Sequence, residues 1–545
     1  MKTKSLILLS GGLLALGACS SGSDRNMETA SAETSRDESL RPPPPPPPPP
    51  PSPPAPMIAA EASNIVVTGS RMVVPAPQNR EQYADIERNE VVSVAETPVS
   101  TFSIDVDTGS YANVRRFLTQ GQLPPQDAVR VEEMINYFSY DYPVPTDRSE
   151  PFSVNVDAAV TPWNANTQLI RVGLKGYELE RKERPPANLV FLIDTSGSMS
   201  APDKLPLVAK ALNMLARDLG SRDRVSIVVY AGSAGLVLEP TNDPAKIERA
   251  LEQLQAGGST AGAAGIGLAY KQARAAFIEG GVNRVMLATD GDFNVGISDR
   301  DQLIEMVERE AETGVSITTL GFGQGNYNEA MMEQVADKGN GNHAYIDSLM
   351  EARKVLTEEA GSTLFTIAGD VKVQVEWNPA VVAEYRLIGY ENRALAEQDF
   401  DNDEVDAGEI GAGHDVTALY EIALVGSEGV RMPDRRYAAN RGDAPGVSNV
   451  TELGELRLRY KLPGEDTSRL ITQVMPRTLA TNAGPAKGDM ALAASVAAFG
   501  QRLSGSKYIG DMDYAAIAGM TPGGDYYRGE LKKLVELADT NRPAR

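Results

Sequence analysis

The feature that most constrains the fold of this chain is an apolar run at 189–193 that ends abruptly on Asp194. Five consecutive apolar residues, most of them branched, predict a strand that is buried on both faces. Two hydroxyl residues, Ser196 and Ser198, follow at alternate positions. Open α/β sheets bind ligands at the carboxyl ends of their parallel strands, so these side chains stand where a ligand site is expected.

One carboxylate and two hydroxyls are hard oxygen donors, the kind that divalent cations such as Mg²⁺ prefer. The alternative interpretation is a plain polar turn between strand and helix, with Ser198 as the N-cap of the helix that follows. The residue types and their spacing favour the metal site over the turn.

Strand and helix patterns alternate from about 187 to 360, which is typical of a doubly wound, mostly parallel α/β sheet. The predicted strands are 189–194, 225–230, 235–239, 284–290 and 315–321. The predicted helices are 203–219, 244–254, 261–277, 301–312, 329–336 and 349–360.

The sequence on both sides of this block alternates with period two instead. Segments 371–377, 419–424 and 455–460 predict strands of an antiparallel β-sandwich. Segments 152–156 and 168–172 lie before the block and lack obvious local partners. We therefore expect them to complete the sandwich, which makes the α/β block an insertion within it. Helical periodicity at 491–503 and 525–538 predicts C-terminal helices.

Composition excludes several classes of function. The net charge of −22 opposes binding to nucleic acid. His343 and His414 are the only histidines, which leaves little room for zinc chemistry or a Ser-His-Asp triad. The chain contains no Gly-Lys pair, so it has no P-loop for phosphate binding. We predict no catalytic residue and no enzymatic activity.

The N-terminus has the layout of a secretory signal, with two lysines before an apolar run at 6–16. Residues 16–19, Leu-Gly-Ala-Cys, resemble a bacterial lipobox, which implies that Cys19 is lipidated; a plain secretory signal with a chance cysteine is the alternative. The proline run 42–51 predicts an extended rod of roughly 30 Å. We expect a protein anchored in the membrane by lipid only and facing the periplasm. The serine after Cys19 favours the outer over the inner membrane.

The D-x-S-x-S pattern of Asp194, Ser196 and Ser198 after an apolar strand resembles the metal-ion-dependent adhesion site of von Willebrand factor type A domains. The resemblance implies two further ligands, Thr260 in the loop 257–262 and Asp290 at the end of strand 284–290. It also implies Mg²⁺, with Mn²⁺ or Ca²⁺ as substitutes, and an open metal position that accepts a carboxylate from a protein partner. Asp292 is either an additional ligand or, more simply, an N-cap or a solvated turn residue.

The resemblance extends beyond the α/β block. Segments 102–118 and 131–138 resemble the N-terminal part of a bacterial group of von Willebrand factor type A lipoproteins. Segments 385–393 and 406–414 resemble the C-terminal domain of that group, whose role is undefined. The match covers about 98–540. His414 lies in it and is interpreted as a structural loop histidine rather than a ligand.

Asp105 and Asp107 form a D-x-D pattern that invites comparison with the nucleophile loop of haloacid-dehalogenase phosphatases. The threonine that follows is one position early for that family, and its lysine and second acidic pair have no clear counterpart. The end of a strand followed by a helix N-cap is therefore the favoured interpretation.

We thus expect an envelope protein that binds a partner through its cation. The alternatives are a metal-dependent envelope hydrolase, in which the ion activates water, and an assembly factor that acts with a separately encoded ATPase. We also expect the helix 349–360 to move when the ion takes a ligand, because it connects the α/β block to the sandwich.

The sequence divides into seven regions by these criteria. They are a signal peptide (1–18), a disordered proline-rich tether (19–97), an N-terminal α/β segment (98–150), sandwich strands (151–184), the von Willebrand factor type A domain (185–360), the main β-sandwich (361–480) and a C-terminal helical region (481–545).

Overall fold

The computed structural model describes residues 81–259, 262–291, 300–433 and 450–542. The strands are β1 (Val92–Ser93), β2 (Val99–Ser103), β3 (Phe152–Val160), β4 (Gln168–Gly176), β5 (Ala187–Asp194), β6 (Arg224–Tyr230), β7 (Ala234–Thr241), β8 (Val282–Thr289), β9 (Ser316–Phe322), β10 (His343–Ile346), β11 (Thr366–Trp377), β12 (Val382–Ile388), β13 (Gly408–Gly411), β14 (Asp415–Leu424), β15 (Glu452–Lys461) and β16 (Arg469–Pro476). The helices are α1 (Gly109–Thr119), α2 (Val131–Asn136), α3 (Leu205–Asp218), α4 (Pro244–Glu252), α5 (Gly262–Ala275), α6 (Arg300–Glu312), α7 (Glu329–Lys338), α8 (Leu349–Arg353), α9 (Ala360–Leu364), α10 (Thr478–Thr481), α11 (Gly488–Leu503), α12 (Tyr514–Met520) and α13 (Tyr526–Thr540).

The α/β block is a six-stranded sheet in the order β10-β9-β8-β5-β6-β7. Its neighbouring strands are parallel except for the edge strand β7, which runs antiparallel to β6. The predicted doubly wound, mostly parallel sheet is confirmed. Strand β10 was not predicted, because four residues are too few to show a period.

Strand β5 lies in the middle of this sheet, and all its residues are buried. Phe191 and Ile193 pack in one core together with Leu212 of α3. The intervening residues, such as Leu192, pack on the other face with Ile266 of α5. Because helices cover both faces, the strand requires apolar residues at consecutive positions, which explains the run at 189–193.

Two antiparallel sheets form the sandwich. One has the order β1-β12-β14-β4-β3, and the other has the order β13-β11-β15-β16 with β2 paired to β11. Aromatic rings join them across the interior: Trp377 lies 5.3 Å from Tyr420 and Phe152 lies 5.0 Å from Tyr460 between ring centroids. This contact is the sandwich core.

Strand β4 precedes the α/β block in sequence and pairs with β14, which follows it, in continuous register from Gln168↔Ile422 to Lys175↔Asp415. The α/β block is therefore inserted between two strands of one sheet, as predicted. Strands β1, β12, β13 and β16 were not predicted. The predicted disordered tether 19–97 is wrong at its C-terminal end, because β1 (Val92–Ser93) pairs with β12 in the sandwich. In β12 all seven residues are buried, so its sequence lacks the alternation of a half-exposed strand.

The C-terminal helices pack on the N-terminal helices. Met134 of α2, Val496 and Phe499 of α11 and Leu534 of α13 share one core with Tyr111 of α1. The predicted helices 491–503 and 525–538 correspond to α11 and α13. Among the described residues, no helix has the length and apolar character needed to cross a bilayer.

The predicted helix 349–360 is interrupted, contrary to expectation. A π-helical turn, Lys354–Glu358, separates α8 from α9. At this point Lys354 turns inward, and its ammonium lies 4.3 Å from the ring centroid of Tyr137. Lys354 also pairs with Glu359 of its own segment. Its contact with Tyr137 involves a distant segment and is not visible in the periodicity of the helix itself.

Arg115 of α1 is a buried hub that joins three parts of the chain. Its guanidinium lies 2.5 Å from Asp347 and 2.6 Å from Glu351, at the start of α8, and 3.0 Å from Glu530 of α13. It also donates to the hydroxyl of Tyr137. The end of the α/β block is thereby tied to the N-terminal and C-terminal helices.

We predict that Arg115→Ala lowers the free energy of unfolding by about 3–5 kcal/mol, because it leaves buried carboxylates without their counter-charge. Urea unfolding of the two proteins measures the difference. The matched control is Arg217→Ala, which removes the exposed pair with Glu248 and should change stability by less than about 1 kcal/mol. Equal losses in the two variants would contradict the hub role of Arg115.

Candidate metal centre

The loop after β5 gathers the oxygen atoms that the D-x-S-x-S pattern predicts. Asp194 is buried; its Oδ1 accepts a hydrogen bond from the backbone N–H of Ser196 at 2.8 Å, and its Oδ2 accepts one from Thr289 Oγ1 at 3.0 Å. The hydroxyl oxygens of Ser196 and Ser198 lie 2.9 Å apart. Three of the predicted ligands thus lie in one compact turn.

The interpretation of Ser198 as a helix N-cap is wrong. Ser198 lies inside a short 3₁₀ turn, Gly197–Ser200, whereas helix α3 begins later, with Lys204 at its N-cap position. The hydroxyl of Ser198 is therefore directed to Ser196 and not to the backbone of the helix.

Asp290 directly follows β8, the parallel neighbour of β5, and is also buried. Its Oδ2 accepts a hydrogen bond from Lys204 Nζ at 2.8 Å. Gly291, with φ +87°, donates its N–H to Thr289 Oγ1 and turns the chain away after the carboxylate. Since the two strands end side by side, Asp194 and Asp290 lie at the same edge of the sheet.

The loop that leads to Thr260 is held against the same turn. Gly257 donates its N–H to the carbonyl of Thr195 at 2.8 Å, and Gly197 donates to the carbonyl of Gly258 at 3.1 Å. Thr260 itself lies outside the described residues, as do Asp292 and Cys19. The predictions for these three residues stay predictions.

The electrostatics of the site favour a cation. Burial raises the pKa of Asp194 to about 6, and the nearby charge of Asp290 adds to this effect, against hydrogen bonds from Ser196 and Thr289 that lower it. The ammonium of Lys204 pairs with Asp290, whereas the hydrogen bonds to Asp194 come from neutral groups. The donor set of Asp194, Ser196, Ser198 and Asp290 consists only of oxygen atoms, so it fits Mg²⁺ in both donor type and charge.

Two residues of this site were not found by sequence reasoning. Thr289 orients Asp194, and Lys204 pairs with Asp290 across 86 residues of sequence. The sequence did contain a signal for Lys204. A lysine at a helix N-terminus interacts unfavourably with the helix dipole, so another interaction must compensate for it.

The prediction that Asp105 and Asp107 mark the end of a strand followed by a helix N-cap is only partly correct. Strand β2 ends at Ser103, but the N-cap position of α1 is Thr108, and it makes no side-chain capping bond. Asp107 instead accepts from the backbone N–H of His343 at 2.8 Å, and both aspartates face the Arg393 guanidinium.

These aspartates belong to a group of buried charges that we call the junction cluster. Its members come from the N-terminal segment, from α7 and from the loop after β12. They are Asp105, Asp107, Arg130, Glu132, Glu133, Glu329, Glu333 and Arg393. Burial raises the pKa of Glu132 and of Glu329 to about 8 in each case, and neighbouring carboxylates contribute. Among described residues, the oxygens of Glu329 have no hydrogen-bond partner.

His414 fits its structural interpretation. It lies in the loop between β13 and β14, where its N–H donates to the carbonyl of Gly411 and its own carbonyl accepts from Gly176. Burial lowers the pKa of its ring to about 3, so the imidazole is neutral at physiological pH.

We predict that Asp194→Asn stabilises the metal-free protein in EDTA near neutral pH. A pKa that is raised from 3.8 to about 6 in the folded state means that ionisation weakens folding as pH rises between these values. The gain should be about 2–3 kcal/mol in urea unfolding. The same variant should lose any rise of Tm with added Mg²⁺. The exposed Asp511→Asn is the control, and a less stable Asp194→Asn protein in EDTA would contradict the prediction.

We predict that Glu329→Gln removes part of a pH dependence of stability. In the wild type the unfolded chain loses this proton near pH 4.5 and the folded protein near 8, so stability falls as pH rises between these values. In EDTA the variant should therefore be more stable than the wild type by about 1–3 kcal/mol at pH 8.5, and nearly equal to it at pH 4.

Urea unfolding at the two pH values measures this difference. Glu305→Gln, on the exposed face of α6, is the matched control and should show no pH-dependent difference from the wild type. An equal effect of Glu329→Gln at both pH values would show that the pKa of Glu329 does not change on folding, which contradicts the prediction.

Comparison with known proteins agrees with this architecture. Family models described as "von Willebrand factor", "von Willebrand factor type A domain" and "Uncharacterized protein YfbK, C-terminal" match residues 77–171, 188–359 and 362–540. "Uncharacterized protein YfbK" of Escherichia coli K12 is 46% identical over 473 residues, which cover 84% of this chain and 81% of that protein. The resemblance stated from the sequence is confirmed.

Other similarities are confined to shorter stretches. The magnesium-chelatase 60 kDa subunit of Rhodobacter capsulatus is 31% identical over 118 residues, 22% of this chain and 21% of that protein. The crystal structure of BatB from Bacteroides thetaiotaomicron is 22% identical and covers 32% of this chain and 97% of its own, with a TM-score of 0.28. The match to YfbK covers most of both chains, so this chain belongs to the YfbK family of von Willebrand factor type A proteins.

Proposed function

We propose that this protein binds a protein partner through a divalent cation held at the carboxyl ends of β5 and β8. The observation that carries the proposal is the convergence of Asp194, Ser196 and Ser198 in one turn beside Asp290, with all four donors being oxygen. Mg²⁺ would be held by these residues, with Thr260 as a further ligand and with Mn²⁺ or Ca²⁺ as substitutes.

The donor set favours capture of an anionic group. Hydroxyl ligands are neutral, so they leave the charge of the ion only partly compensated. A cation with a position free for an external ligand attracts a carboxylate in a directional, charge-assisted contact. An aspartate or glutamate side chain of a partner supplies this group, and binding then depends on the metal. We propose binding without turnover as the activity.

We place the protein at the cell envelope, facing the periplasm and anchored by lipid at Cys19. Support comes from the sequence: the lipobox-like residues 16–19 follow an apolar signal, and a proline-rich stretch at 42–56 lies between them and the domains in the order of the chain. A tether of this kind would let the proposed site at Asp194 and Asp290 contact partners at a distance from the membrane. We favour the outer membrane over the inner one.

We predict that Asp194→Ala and Ser198→Ala abolish Mg²⁺-dependent capture of envelope proteins. Full-length tagged protein is purified from detergent-solubilised envelopes in Mg²⁺ or in EDTA, and the bound proteins are compared. Ser200→Ala is the matched control, because Ser200 lies in the same turn but is exposed. Its capture should equal that of the wild type.

Two outcomes would overturn the proposal. Capture that is equal in Mg²⁺ and EDTA would show that no cation mediates the contact. Metal-dependent hydrolysis of an envelope component that is lost in Asp194→Ala would show that the ion activates water instead.

A further inference from the structure

Lys204 is a buried cation in the wall of the proposed metal site. Its side chain is 7% exposed, and its Nζ lies 2.8 Å from Asp290 Oδ2. It follows the 3₁₀ turn that carries Ser198 and occupies the N-cap position of α3. The same short segment therefore supplies both a proposed metal ligand and a positive charge.

The fold provides a fitted space for the Lys204 side chain. Gly323 directly follows β9 with φ +72°, and a Cβ atom at this position would collide with the aliphatic carbons of Lys204. Tyr345 donates its hydroxyl hydrogen to the carbonyl of Gly323 at 2.5 Å and holds this backbone in place. The ammonium is thus positioned at Asp290 by packing as well as by charge.

This position is unfavourable for a lysine on general grounds. A cation at a helix N-terminus opposes the helix dipole, and its burial costs solvation free energy. Packing alone would be served as well by methionine. A charge maintained against these costs, beside a proposed ligand, points to a role in the binding chemistry.

The charges of the site define that role. Asp194 and Asp290 carry two negative charges, and Lys204 returns one, while the other donors are neutral hydroxyls. Counted over these described residues, a divalent ion would bring the net charge to +1, and one carboxylate from a ligand would bring it to zero. Without Lys204, the two aspartates would already neutralise the ion, and an anionic ligand would gain less.

We propose that Lys204 determines the ligand selectivity of the site: its fixed charge weakens the hold on the cation alone and strengthens capture of a carboxylate. Cation and carboxylate then bind cooperatively, because each supplies the charge that the other needs. This inference rests on the proposed function, since it assumes a cation at Asp194 and Asp290.

Isothermal titration of Mg²⁺ into the full chain tests the first half. Lys204→Met should bind Mg²⁺ at least about tenfold more tightly than the wild type, because one repelling charge is removed at short range. Lys204→Arg keeps the charge and should bind Mg²⁺ less tightly than Lys204→Met does. Lys210→Met is the matched control, an exposed lysine on the same helix, and should have no effect.

The second half is tested by the same titration in sodium acetate, a free carboxylate, against sodium chloride at equal ionic strength. Acetate should tighten Mg²⁺ binding in the wild type and do so less in Lys204→Met. An equal effect of acetate in both, or no effect in either, would overturn the inference. Lys204→Gln, whose amide can still donate to Asp290, replaces Lys204→Met if circular dichroism shows that the latter does not fold.

The outcomes separate the two proposals. If the wild type does not bind Mg²⁺, the proposed function fails and the role of Lys204 fails with it. If the wild type binds Mg²⁺ and Asp194→Ala does not, but the neutral Lys204 variants bind no more tightly, the metal site stands and the role of Lys204 is wrong.

Discussion

The compensation of the buried charge of Asp194 is the interaction on which the proposed site depends. The carboxylate stands at the end of a strand that helices cover on both faces, so water cannot solvate it. Its hydrogen bonds come from Ser196 and Thr289, which are neutral. Burial, together with the nearby charge of Asp290, raises its pKa to about 6. A divalent cation is the simplest group that supplies a compensating positive charge.

The same need for counter-charges joins the parts of the molecule. Arg115 connects the end of the α/β block to helices from both ends of the described chain, and the junction cluster connects α7 to the N-terminal segment and to the loop after β12. Together with the pairing of β4 and β14, these contacts attach the inserted block to its host at several points. Movement of α8 in response to a ligand would have to change the contacts of Arg115.

The fold class could be predicted from the sequence where the burial of a segment produces a clear pattern of apolar and polar residues. The run at 189–193 and the alternation at 371–377 each matched a strand, because consecutive apolar residues and a period of two are both typical of strands. Strand β10 was not predicted because it is short, and β12 was not predicted because the buried Glu384 and Arg386 interrupt its apolar run. The break between α8 and α9 was not predicted either. The break accompanies the contact of Lys354 with Tyr137, which is far away in sequence.

The sequence by itself determined the class of the sheet, the insertion into the sandwich and the turn that carries Asp194, Ser196 and Ser198. These depend on local periodicity and on neighbouring residues in the chain. Only the tertiary structure showed that the ammonium of Lys204 pairs with Asp290 and that Asp105 and Asp107 face the guanidinium of Arg393. Lys204 and Arg393 reach their carboxylates across long stretches of chain, and Coulomb interactions depend on distance in space, which residue order does not reveal.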